Sequence, residues 1–213
     1  IIAVTGGENQ SHSQSGNIYR STDGGSTWAQ VTPTGGFSNG NAITMHKGTS
    51  NTIYIGTGLE QGTHANDKGA LWKSTDDGLT WNKVSSGPSN LAGTVTDLPI
   101  LDLVVSSRSA DTLYVAAGSN LDHAFAYSHN GGNSFTTTKI SGEGAFSSVM
   151  MNNIHEDTLY VAIRRELYVY DAKNDSARLV FRGLPGELIP DLVWGSVLMG
   201  SSTGAYKVEI EFE

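Results

Sequence analysis

The chain has 213 residues, a formal net charge of -8 and no cysteine. It is long enough to bury a sizeable core but carries no disulfide framework, thiolate metal site or cysteine nucleophile. The acidic balance and the lack of a basic run argue against a nucleic-acid partner, whose phosphates demand clustered Lys and Arg, and no apolar run approaches the roughly 20 residues of a membrane-crossing helix, so no membrane insertion is expected.

In chain order, Ile1 to Thr5, Asn17 to Ser21 and Trp28 to Val31 are short β-branched or aromatic runs bounded by turn residues, a pattern that predicts strands. Between the second and third lies Ser21-Thr22-Asp23-Gly24-Gly25-Ser26-Thr27-Trp28. This octet returns as Ser74-Thr75-Asp76-Asp77-Gly78-Leu79-Thr80-Trp81. A looser copy, Ser128-His129-Asn130-Gly131-Gly132-Asn133-Ser134-Phe135, has Asn for Asp and Phe for Trp. The copies are spaced by 53 and then 54 residues, the length of one four-stranded propeller blade with its loops.

A second element repeats in step with the first: Asn51-Thr52-Ile53-Tyr54-Ile55-Gly56, Asp111-Thr112-Leu113-Tyr114-Val115-Ala116 and Asp157-Thr158-Leu159-Tyr160-Val161-Ala162. Each is short, rich in Val, Ile, Thr and Tyr, and follows a polar turn, so each predicts a strand. Tyr168 to Phe181 keeps the strand, turn, strand pattern of a fourth unit, with Asp171 to Ser176 in the turn and the octet itself eroded. Leu192 to Trp194, Val197 to Ser201 and Ala205 to Phe212 form a final strand set, and helix signals are lacking.

These periods predict an all-β chain in which 1–213 is a single region, a β-propeller segment of about four to five blade units. With strands lettered A (innermost) to D (outermost), the first unit lacks its A strand and the last its D strand. Both ends then carry B and C strands and cannot merge into one shared blade. The expectation is part of a larger propeller whose remaining blades come from the same or another chain. The start at Ile1, without a Met or signal sequence, reads as a mature or trimmed segment.

Within the octet the chemistry is that of a hairpin turn. The Asp carboxylate accepts loop N–H groups, glycine takes a positive φ, and the Trp buries its ring under the turn. Asp23, Gly25, Trp28, Asp76, Gly78, Trp81, Asn130, Gly132 and Phe135 are accordingly read as structural, and the glycine pairs mark hairpins rather than phosphate loops, because no helix follows them.

The octets resemble the Asp-box repeats, or bacterial neuraminidase repeats, of sialidases, xyloglucanases, sortilin-type receptors and photosystem assembly factors. The resemblance spans nearly the whole chain and implies that the box joins strands C and D on the face opposite the ligand site. It also implies a secreted or cell-surface setting, with the periplasm as a variant. It leaves activity open, since the repeat serves hydrolases and binders alike.

On that implication the B–C and D–A loops form the functional face. The first two B–C loops, Gly7 to His12 and Leu59 to His64, each place a His four residues after a Glu, and the third holds Asn120-Leu121-Asp122-His123. Glu8, His12, Glu60, His64, Asp122 and His123 are therefore the candidate binding residues, expected to share one face. Such a carboxylate and imidazole set suits a divalent metal or polar ligand, against the plainer reading of solvated polar loops. No metal or cofactor is assigned.

A glycosidase needs two facing carboxylates. Glu8, Glu60, Asp67, Asp97, Asp122, Glu143 and Glu187 fall in loops of this face without a spacing that singles out a pair, so no catalytic residue is assigned. The sialidase pattern of three Arg with a Tyr activated by Glu is poorly matched: Arg164 and Arg165 sit in a B–C turn, and Phe181-Arg182-Gly183-Leu184-Pro185 lies after the boxes rather than before them. The reading is a non-catalytic module that binds a protein or polysaccharide partner. The alternative is a fragment of a glycoside hydrolase with part of its active site on missing blades.

Overall fold

The computed structural model describes residues 1–6, 16–34, 37, 39–46, 48, 51–58, 68–118, 123–138, 140, 146–151, 157–163, 166–182, 189–193, 196–201 and 204–209. Five antiparallel sheets follow one another. The first holds β1 (Ile2–Val4), β2 (Ile18–Arg20) and β3 (Ala29–Gln30), and the second β4 (Gly40–Met45), β5 (Ile53–Thr57), β6 (Ala70–Ser74) and β7 (Asn82–Ser86). The third comprises β8 (Ile100–Val105), β9 (Leu113–Gly118), β10 (His123–Ser128) and β11 (Thr136–Thr137), and the fourth β12 (Phe146–Met151), β13 (Thr158–Ile163), β14 (Glu166–Asp171) and β15 (Ser176–Arg182). The last contains β16 (Ile189–Val193), β17 (Ser196–Ser201) and β18 (Gly204–Glu209). The expected phase holds: the first sheet is B, C, D and the last is A, B, C.

Innermost strands meet blade to blade, β4 against β8, β8 against β12 and β12 against β16. The second strands of the second and third blades are covered on both faces, and every residue of β5 and of β9 is buried. This is why Ile53-Tyr54-Ile55 and Leu113-Tyr114-Val115 read as continuous apolar runs rather than as alternation. Between the first two blades Ile18, Phe37, Ile55, Trp72 and Trp81 form one core cluster. Between the second and third, Tyr54, Leu71, Leu103, Leu113 and Val115 form another, and each large side chain so buried contributes about 1.5 to 3 kcal/mol. Between the third and fourth the core is aromatic, with Phe125 edge-on to Tyr170 at a centroid distance of 4.9 Å.

Polar ties lock the middle one of these seams. The Tyr54 hydroxyl donates to the Ala110 carbonyl at 2.9 Å, and the Asn41 amide donates to Ile100 O at 3.0 Å. Buried His46 places Nδ1 2.9 Å from the Ser106 carbonyl, which can only accept, so Nδ1 carries the proton. All three hydrogen bonds cross from the second blade to the third, and Tyr54 and His46 are themselves buried.

The octet turns share one network. In the first two, Asp Oδ1 accepts the backbone N–H four residues on and Oδ2 accepts that residue's hydroxyl, at 2.9 and 2.6 Å for Thr27 on Asp23 and for Thr80 on Asp76. In the third, Asn130 Oδ1 accepts Ser134 N at 3.1 Å, but its Nδ2 donates to Ser134 Oγ at 2.9 Å, reversing the second bond. The eroded fourth turn uses Asp171 instead, which accepts Lys173 N at 2.9 Å.

One expectation fails. Trp81 is buried at 6% exposure, whereas Trp28 stands 44% exposed. The ring of Trp81 belongs to the cluster that Ile2, Val4 and Ile18 of the preceding blade help to close. Trp28 lies in the first blade, and among the described residues no sheet packs on that side of it.

Candidate functional site: the loop face

The B–C and D–A connections emerge together, opposite the octet turns and the A–B turns. Glu8, His12, Glu60, His64 and Asp122 lie outside the described residues, as do Asp67, Glu143, Arg164, Arg165 and Glu187. His123 is described and opens β10, in register with Gly118 at the end of β9. Asp97 and Arg182 also fall on this face, both in ion pairs that the sequence reading did not foresee. Among the described residues no group of three or more His, Cys, Asp or Glu is arranged to hold a metal.

The D–A loop from Gly87 to Pro99 is the best-built part of the face. Asn90 orders its tip: Gly93 N donates to Asn90 O and Thr94 N to Asn90 Oδ1, both at 2.9 Å. Leu98 N donates to Pro88 O at 2.9 Å, and Thr137 Oγ1 of the third blade donates to Ser89 O at 2.8 Å. The base is seated among glycines. A Cβ on Gly69 or Gly87 would run into the Leu98 carbonyl, and one on Gly58 would lie 2.8 Å from Pro99 Cα. Glycine is needed there for the close approach of two backbones. Leu91, at the ordered tip, is exposed.

Lys68 and Asp97 meet at 2.9 Å where the B–C and D–A connections of the second blade run side by side. The Lys68 hydrogen bond holds the Asp97 carboxyl below its usual range against the opposing effect of burial. Asp97 has φ of 59°, a left-handed conformation that Asp tolerates better than most residues. On the fourth blade Glu166 and Arg182 are cross-strand partners, with Arg182 Nε 2.7 Å from Glu166 Oε1. The Tyr168 hydroxyl donates to Glu166 Oε2 at 2.7 Å. Burial first, and then this carboxylate, push the Tyr168 phenol up to about 12, so at neutral pH it is a hydrogen-bond donor and not a phenolate nucleophile. A signal for the Glu166–Arg182 pair existed in the sequence, because both residues flank the Asp171 to Ser176 turn at hairpin distance.

Comparison with solved structures shows the fold. The crystal structure of a GH74 enzyme from Niastella koreensis superposes with TM-score 0.64 at 20% identity, over 86% of this chain and 29% of that one. YCF48 bound to D1 peptide gives 0.56 at 12% identity, over 88% and 57%. The nidogen/laminin complex gives 0.63 at 11% identity, over 88% and 65%. The chain thus spans less than a third of the length of the GH74 enzyme. A search of curated proteins gives no match. The family model described as "Sortilin, neurotensin receptor 3" matches residues 16–180, which is most of the sequence and includes all three octets. The chain belongs to the Sortilin-Vps10 family.

Proposed function

We propose that the chain is a non-catalytic arc of a larger propeller, working outside the cytosol and binding a protein or polysaccharide partner through its loop face. The observation that carries this is the Gly87 to Pro99 loop: it is braced by its own hydrogen bonds and seated on a glycine cradle, with Leu91 left exposed at the tip. A loop ordered before contact loses little entropy on binding, which favours affinity. Two ion pairs lie on the loop face, Lys68 with Asp97 at this loop and Glu166 with Arg182 on the fourth blade. A protein partner has the stronger support. The matching family model carries a receptor's name, and two of the similar propellers were solved with a peptide or with laminin.

The test is binding and turnover in parallel on the full parent protein, using immobilised peptide and glycan arrays together with a panel of β-glucans and sialosides. Retention on an array, weakened at least tenfold by Leu91→Asp while the melting temperature is kept, is the expected result. Turnover of any glycan, abolished by Asp97→Asn or Glu166→Gln, would establish a glycoside hydrolase instead.

A further inference from the structure

The chain holds two Asn-Gly pairs, Asn39-Gly40 and Asn130-Gly131. In this dipeptide the glycine has no side chain to hinder attack of its backbone nitrogen on the preceding side-chain amide, and asparagine is among the thermally labile residues. The second pair sits in the third octet, where Asn130 holds the position of Asp23 and Asp76. The closed turn engages both reacting groups. Gly131 N donates to the Asp111 carbonyl at 2.9 Å. Asn130 Oδ1 accepts Ser128 Oγ at 2.8 Å and Ser134 N at 3.1 Å, and Nδ2 donates to Ser134 Oγ at 2.9 Å. The turn also lies against the second blade. A Cβ on Gly132 would collide with Leu71, and one on Gly131 would come within 2.8 Å of Asp111 Oδ1 and 3.2 Å of Lys73 Nζ.

Deamidation turns the amide into a carboxylate, and the two pairs differ in whether the fold accepts that product. Asn130 is exposed. A carboxylate there would accept both the N–H and the hydroxyl of Ser134, the arrangement that Thr27 gives Asp23 and Thr80 gives Asp76. Asn39 is only 7% exposed, so a carboxylate formed there would lose its hydration. Of the two pairs, the one in the third octet is therefore the one whose amide and acid forms both fit the fold.

We propose that Asn130-Gly131 is a self-modifying site, silent while the turn is closed and deamidated when the turn lifts from the second blade and from Asp111. Hydroxide removes the freed Gly131 amide proton, and the nitrogen bonds to Asn130 Cγ. The Cγ–Nδ2 bond breaks and ammonia leaves, taking its proton from water. Water then opens the resulting succinimide. Cleavage at Cγ gives aspartate and completes the carboxylate of the box. Cleavage at the main-chain carbonyl gives isoaspartate, which adds a methylene to the backbone between the two residues. The longer backbone shifts Gly131 N and Gly132 N away from Asp111 O and Ser128 Oγ, their acceptors in the closed turn, so the isoaspartate turn no longer seats on the second blade. Both products carry an added negative charge, and nothing is oxidised or reduced. The turn thereby records an opening of the blade seam as a permanent change of charge.

The test incubates the full chain in mildly alkaline buffer, folded and in denaturing guanidinium, and follows residue 130 by peptide mapping that separates asparagine, aspartate and isoaspartate. Conversion is expected in both samples, about tenfold or more slower in the folded one, because reaction there waits on local opening. Subdenaturing guanidinium should raise the folded rate in step with amide exchange at Gly131. Ser134→Ala, which removes the partner of Nδ2 at an exposed site, should raise the folded rate and leave the unfolded rate unchanged. The Asn130→Asp variant supplies the standard for the aspartate product, which should melt with the parent, while the refolded isoaspartate product melts lower. Equal rates in the folded and unfolded chain would overturn the proposal. So would an Asn130 that survives in guanidinium, a folded rate that does not follow Gly131 exchange, or an isoaspartate product as stable as the parent.

Discussion

Trp28 and Trp81 end two copies of the same turn, with the same Ser, Asp, Thr and Trp hydrogen bonds, yet one ring is exposed and the other is buried. The indole N–H donates to the carbonyl of Gly25 at 3.0 Å in the first copy and of Gly78 at 3.1 Å in the second. What differs is the neighbour: the second turn packs against the first blade, and the first turn has no described blade beside it. The octet therefore specifies the turn, while the adjacent blade specifies how much that turn is worth to stability.

The comparison is broken most sharply at the rings. Trp81→Ala is expected to cost about 3 to 5 kcal/mol by emptying a packed aromatic site, and Trp28→Ala, whose ring is only part-covered, about 1 kcal/mol, the centre of the range for point substitutions of all kinds. Urea or thermal unfolding of the two variants measures the gap. Equal losses would mean that the turn itself, rather than the inter-blade seam, carries the stability.

A smaller contrast is expected at the glycines beneath these rings. Gly25 and Gly78 have φ of 96° and 77°, so alanine is strained in both, at a cost of about 1 kcal/mol. A Cβ on Gly25 meets only ordinary contacts, with Ile1 Cδ1 at 3.7 Å and Trp28 at 3.8 Å, whereas one on Gly78 would collide with the end of the Ile2 side chain. Because Ile2 can shift, Gly78→Ala should exceed Gly25→Ala by about 1 kcal/mol, toward the lower end of overpacking costs. Unfolding midpoints of the paired variants give the difference directly.

The smallest expected effect lies in the carboxylates and shows best in acid. Hydrogen bonds from the Thr80 hydroxyl and backbone, with that of Ser74, hold the Asp76 carboxyl at about 2, and the equivalent bonds from Thr27 and Ser21 lower Asp23 as well. A folded-state pKa below the unfolded value gives stability that is present above about pH 4 and lost as pH falls through the folded value. For Asp76 this window runs from about pH 4 to about 2. Asn130→Asp lets Ser134 donate its hydroxyl to a carboxylate oxygen, as Thr27 and Thr80 do. At pH 7 it should change stability by less than about 0.5 kcal/mol, while the loss of stability between pH 4 and 2 becomes steeper than in the parent. Identical acid titrations would show that the third turn does not lower the pKa of the new carboxylate.

Legibility along the sequence follows the range of the interaction. The octets, their spacing and the Thr-Ile-Tyr or Thr-Leu-Tyr strands place the blades in phase, because a turn and the hairpin it closes depend on residues a few positions apart. The loop face was much less legible. Asp97 and Arg182 could be assigned to it from blade phase, but their engagement with Lys68 and Glu166 depends on how two connections lie side by side. The cradle of Gly58, Gly69 and Gly87 was invisible for the same reason: each glycine matters only because Leu98 or Pro99 passes against it, from another connection for Gly58 and Gly69 and from the far end of the same loop for Gly87.

By itself, then, the sequence determined the all-β architecture, the turn chemistry of Asp23, Asp76 and Asn130, and the strand phase of the first sheet, all of which follow from local periodicity and short-range hydrogen bonding. The tertiary structure alone decided that Trp28 is exposed and Trp81 buried, that Ile43 and Met45 are exposed where their blade equivalents Leu103 and Val105 are buried, and that the Gly87 to Pro99 loop packs onto Gly58 and Gly69. Burial is a property of what packs against a side chain, and in a ring of blades that partner comes from the next repeat.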